Sequence, residues 1–173
     1  MNYPKVLNKK IQPGMHYSEC RAMASLIRRF ASDQKGIFIA DRGYESYCVC
    51  AHIQRKGMHY LIRARDKNKS GIASQLKLPK EETFDMDVEL ILSTRNTKKV
   101  QEQKDLYRFI RLPYRCDFFE PGQSEYPIAF RVVRFPISED KYESIITNLP
   151  RENFPTETIK RLYAMRWGII TIS

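Results

Sequence analysis

Asp41 closes a run of four apolar residues, Ile37, Phe38, Ile39 and Ala40. A short continuous apolar run reads as a buried strand. A carboxylate at the carboxyl end of such a strand is rigidly held yet opens onto the crevice beyond the sheet, a position that suits a metal ligand. Phosphodiester cleavage at a two-metal site needs several oxygen ligands around two cations, one activating the nucleophile and one stabilising the leaving oxygen. Asp41 alone does not make that site. The same position also suits a cap, in which the side chain accepts from a free N–H of the following helix.

Tyr163, Arg166 and position 170 form a second constellation, spaced three and four apart, so that on one helix they share a face. A guanidinium and a phenol hydroxyl there are matched to backbone phosphate oxygens, and Trp167 could stack on a base. The bland counterpart is a core helix with an arginine reaching outward. Cys48, Cys50 and His52, with His16 and Cys20, are residue types that bind zinc. On a helix, however, Cys50 points away from the Cys48 and His52 face, and buried free thiols are the simpler reading.

These residues must be held by secondary structure. Met23, Leu26, Ile27 and Phe30 recur at helical spacing after Ser18, with Arg21, Arg28 and Arg29 on other faces. Gly36 breaks that pattern ahead of the strand ending at Asp41, and a second helix is expected from Tyr44 to Lys56, with Gly57 at its end. Tyr60 to Ala64 reads as another strand, so two strands joined through a helix predict a parallel pair in an α/β fold. Strand-like runs at Val88–Leu92, Leu106–Leu112, Ile128–Phe135 and Ile145–Thr147 follow, and Phe154, Pro155 and Thr156 open a last helix through Ile159, Leu162 and Tyr163.

The chain has 173 residues with 42% hydrophobic content, enough for one domain with a real core. Thirty Lys and Arg against twenty Asp and Glu leave a net charge of +10, which favours polyanionic partners such as nucleic acid. A basic face could combine Arg63, Arg65, Lys67 and Lys69 with Lys98, Lys99, Lys104, Arg108 and Arg111, although such runs are commonly just solvated surface. Four irregularly spaced cysteines do not make a disulfide framework, and no apolar run spans a membrane or resembles a secretory signal. A cytoplasmic protein, nucleoid-associated if bound to DNA, is expected.

The segment Gly36 to Ser46, GIFIADRGYES, resembles the second catalytic-aspartate motif of the insertion-sequence-four family of DDE transposases. The segment Ile146 to Ile169, ITNLPRENFPTETIKRLYAMRWGI, resembles that family's C-terminal signature of Tyr, two residues, Arg, three residues, Glu, six residues and Lys, with Tyr163 and Arg166 at the matching spacing. Both lie in the family's order, and the likeness runs from about Ile11 to Ile169. The resemblance implies a partial RNase H-like core over 1–67, a mostly β insertion over 68–149 between the second Asp and the C-terminal helix, and a signature helix over 150–173. It further implies hydrolysis and strand transfer at double-stranded transposon ends with Mg²⁺ or Mn²⁺. Asp41 would be a catalytic acid and metal ligand, and Arg42, Tyr163 and Arg166 would contact DNA.

The departures are as specific as the matches. Ile170 stands where the family places its catalytic Glu, followed only by Thr171, Ile172 and Ser173, and Asp33 is too close to Asp41 to replace an upstream acid. An isoleucine offers no oxygen to a hard cation. The expectation is a truncated catalytic domain that does not complete the chemistry alone. Its rivals are a non-catalytic fragment that binds DNA or transposase subunits, and a remnant that never folds because a sheet edge is left unpaired.

Overall fold

The computed structural model describes residues 19–29, 36–65, 71–111, 118–165 and 170–171. Helix α1 (Glu19–Arg29) leads to strand β1 (Gly36–Ala40), a 3-10 turn (Arg42–Tyr44), α2 (Tyr47–Arg55) and β2 (His59–Arg63). There follow a second 3-10 turn (Ala73–Gln75), β3 (Phe84–Ser93), α3 (Lys98–Glu102), β4 (Tyr107–Phe109), β5 (Glu125–Ser138), β6 (Lys141–Thr147), α4 (Thr156–Ala164) and β7 (Ile170–Thr171). The helix-strand-helix-strand order expected of the first third is present, and β1 and β2 pair in parallel.

Local chemistry explains the boundaries. The Ser46 hydroxyl accepts from Cys48 N at 3.2 Å, so α2 starts at Tyr47, later than the periodicity suggested. Gly57 takes φ 66° just past the helix, the left-handed conformation that glycine adopts without a Cβ clash. Residues 42–44 tighten into the 3-10 turn that separates Asp41 from α2.

The strands form one sheet in the order β4-β3-β5-β6-β2-β1-β7. Alternate residues enter two different cores, as the period of two requires. Phe38, Tyr60, Ile62, Val132 and Ile146 face a larger core with Ala24 and Ile27 of α1 and Val49 and Ile53 of α2. Ile37, Leu61, Val133 and Ile145 face a smaller core with Ile159 and Tyr163 of α4. The sheet is therefore sandwiched between helices of the two chain ends. The β-rich segment expected over 68–149 is continuous with the rest, because β6 pairs antiparallel with β2 through Leu61↔Thr147, Ile62↔Ile146 and Arg63↔Ile145.

A buried ionic clamp fixes how the chain enters α4. The Arg131 side chain, 5% exposed on β5, donates through Nη2 to Asp85 Oδ2 on β3 at 2.5 Å and through Nη1 to Leu149 O at 2.7 Å and Phe154 O at 3.1 Å. Arg151 Nη2 reaches Asp85 Oδ1 at 3.0 Å, and the Thr156 hydroxyl lies 3.4 Å from Oδ2. One carboxylate thus ties two strands to the turn that launches the helix.

The C-terminal expectation needs correction. Tyr163 and position 170 do not share a helix, since α4 ends at Ala164 with Met165 as its cap. Ile170 lies in β7, opposite Ile37 in an antiparallel pair. The β-branched Ile170 and Thr171 suit a pleated edge, and β1 offers the unpaired backbone that they complete.

Candidate functional site

The parallel register Ala40↔Ile62 brings the next residues of the two strands, Asp41 and Arg63, side by side at the carboxyl ends of β1 and β2. Asp41 is 66% exposed in its side chain, and Oδ1 accepts from Arg42 N at 2.8 Å while its carbonyl accepts from Tyr44 N at 3.0 Å. The capping role weighed from sequence is therefore present, but it engages only one carboxylate oxygen. Arg63 Nη1 stands 3.7 Å from the same Oδ1, beyond hydrogen-bond length. Its Nη2 forms an ion pair at 2.7 Å with Glu143 Oε1 on β6, a carboxylate that is 7% exposed.

A second carboxylate of the Asp41 segment shapes the neighbouring loop. Glu45 accepts from Arg65 N at 2.8 Å, Ile72 N at 2.7 Å and Ala73 N at 3.2 Å. It hooks together the two chain ends that flank residues 66–70. A Cβ at Gly71 would sit 2.6 Å from Glu45 Oε2, so glycine is what allows this approach.

The other expected residues are placed as follows. Arg42 is exposed on the 3-10 turn next to Asp41. Tyr163 is 3% exposed inside the smaller core, so in this conformation its ring packs against the sheet and does not present itself to DNA. Arg166, Lys67 and Lys69 lie outside the described residues. Among the described residues the extended basic face does not assemble as one patch. Lys98 and Lys99 belong to α3 and Arg108 to β4, and β4 stands at one end of the sheet, four strand positions and so roughly 19 Å from β2, which carries Arg63. Several of those cations are also engaged, Lys99 over the Tyr107 ring at 4.7 Å and Arg108 with Gln75 O at 2.8 Å.

Cys48 and Cys50 are buried thiols outside any disulfide, and burial pushes the Cys50 thiol up to about 12. His52 packs edge-on to Phe118 with centroids 6.3 Å apart. These residues are core, and no zinc cage forms among the described residues.

Sequence reasoning missed Glu45 and Glu143. Glu45 could have been flagged by its place in the Asp41 motif. Glu143 carries no local signal, since only the long-range pairing of β6 with β2 brings it to Arg63.

Against this geometry, the family model described as the transposase DDE domain matches residues 6–169. The chain belongs to that family. No curated protein and no solved structure matches it. Transposition is the function of DDE transposases, DNA is their substrate, and they generally use divalent metal ions. No helix among the described residues is long and apolar enough to cross a membrane.

The described residues of this DDE domain do not by themselves fit a two-cation centre. No group of three or more His, Cys, Asp or Glu converges among them. The side chain facing Asp41 is a guanidinium, and the next carboxylate, Glu143, is taken up by that same guanidinium. As it stands this corner holds two guanidiniums, Arg42 and Arg63, around one exposed acid.

Proposed function

We propose that this chain is the catalytic-domain portion of an insertion-sequence-four-like DDE transposase, with an RNase H-like core, and that it binds duplex DNA without cutting it. Transposon-end DNA lies across the carboxyl ends of β1 and β2. Asp41 is the family's second catalytic acid and metal ligand, and Arg42 and Arg63 meet backbone phosphates beside it. Arg166 is a further phosphate contact, and Tyr163 anchors the helix that precedes it.

One observation carries the reading: inside a DDE domain, an exposed Asp at the carboxyl end of a parallel strand stands next to a guanidinium. Ligands in open α/β sheets bind at such strand ends. Ile170 at the family's Glu position supports the absence of cutting, because it removes an oxygen ligand for Mg²⁺ or Mn²⁺.

The test is binding of the full chain to labelled duplex DNA over a salt series. The affinity should fall linearly on logarithmic axes, by about 0.9 per phosphate neutralised, and Arg42→Ala should reduce that slope. A salt-independent affinity, or an unchanged slope in Arg42→Ala, removes the interface from this corner. Binding to intact transposase subunits is the alternative, and co-sedimentation that survives nuclease treatment would favour it.

A further inference from the structure

We infer that Glu143 is a positioning residue for DNA binding, acting through Arg63. The inference rests on the interface proposed above. Arg63 has two partners at unequal distances, Glu143 Oε1 at 2.7 Å and Asp41 Oδ1 at 3.7 Å. The strong contact is with the carboxylate that solvent barely reaches, since Glu143 is 7% exposed and Asp41 66%.

The sheet explains the arrangement. Glu143 sits opposite Phe135 on β6, with Ile145 two residues on, and Ile145 is paired with Arg63. Glu143 and Arg63 therefore lie diagonally across adjacent strands on the face that carries α4, within reach of long side chains. A buried carboxylate needs a cation, and Arg63 is the ion-pair partner that the structure supplies. The 2.7 Å ion pair at Nη2 holds the planar fork, so Nη1 is left 3.7 Å from Asp41 without closing on it.

Without the Glu143 charge, the only carboxylate paired with Arg63 among the described residues is Asp41. The guanidinium then closes on Asp41, neutralises the corner and is lost to phosphate. Glu143, which touches no DNA, thus sets how many phosphates the surface neutralises.

The experiment compares Arg63→Met, Glu143→Gln, Glu143→Asp and the double variant Glu143→Gln/Arg63→Met, each checked for a cooperative thermal transition. Duplex DNA affinity is measured against salt. Arg63→Met should lower the slope by about 0.9, one phosphate's worth. Glu143→Gln should lower it by the same amount, the double variant should lose no more, and Glu143→Asp, which keeps the charge, should recover most of the slope. A purely structural role would alter melting and leave the slope and its coupling to Arg63 untouched.

If Arg63→Met loses the slope and Glu143→Gln keeps it, or if the two losses add, this inference is overturned while the interface stands. If Arg63→Met keeps the slope, the interface at Arg63 is wrong and the inference falls with it. Should Glu143→Gln fail to fold, Glu143→Asp decides: a slope reduced as far as in Arg63→Met despite the retained charge overturns the positioning role, and a recovered slope supports it.

Discussion

Asp41 and Arg63 stand side by side at the ends of two parallel strands, Oδ1 and Nη1 3.7 Å apart, with the arginine anchored on Glu143 at 2.7 Å. Because Asp41 is mostly exposed and its ion pair is long, the pair contributes little to stability. Asp41→Asn should shift the unfolding free energy by less than about 1 kcal/mol in denaturant titration. A loss several times larger would make Asp41 a structural residue first.

The clamp at Asp85 behaves oppositely. Removing one partner of a buried pair leaves an uncompensated charge, so Asp85→Ala should destabilise by about 3 kcal/mol or more in urea unfolding. A cost near that of an exposed residue would mean that Leu149 O and Phe154 O hold Arg131 without it.

The same clamp sets a pH dependence. Burial opposes ionisation of Asp85, but hydrogen bonds and charge from Arg131 and Arg151 outweigh it and hold the carboxyl below its usual value. A carboxylate depressed in the folded state adds stability that is present above its unfolded value, near 4, and lost as pH falls through the folded one. Melting temperature should therefore drop on acidification below about pH 4, and the drop should be smaller in Asp85→Asn.

Gly71→Ala tests the hook at Glu45. The added carbon meets the carboxylate at 2.6 Å, so the loop or Glu45 must move, at a cost of about 1–3 kcal/mol. Glu45→Ala removes the obstacle together with three hydrogen bonds, so the double variant should be less destabilised than the sum of the singles. Additive losses in thermal melts would show that Gly71 is required for another reason.

Thiol chemistry checks the core assignment of α2. With Cys50 pushed up to about 12 and Cys48 equally buried, neither should alkylate at pH 8 in the native protein, and both should after denaturation. Mass mapping that finds native labelling at Cys50 would open the packing of α1 and α2.

Much of this was legible in the sequence because it is local. The apolar run before Asp41, the period of α2 and the glycine at 57 each state their structure within a few residues, and the helix joining β1 to β2 implies a parallel pair. What was hidden depends on partners far along the chain. Glu143 meets Arg63 across 80 residues, and Arg131 looks like a surface cation on an alternating strand until Asp85 and the Leu149 carbonyl close around it. The helical spacing of Tyr163 and Arg166 was misleading at position 170, because the free edge of β1 recruits Ile170 into a strand.

If the Asp41 corner handles DNA without cutting it, supercoiled plasmid incubated with the full chain in Mn²⁺ should stay unnicked. The plasmid should be bound with no conversion to open circles, at any metal concentration, beyond that seen with Asp41→Ala. Metal-dependent nicking that Asp41→Ala abolishes would contradict it and make this chain a working nuclease.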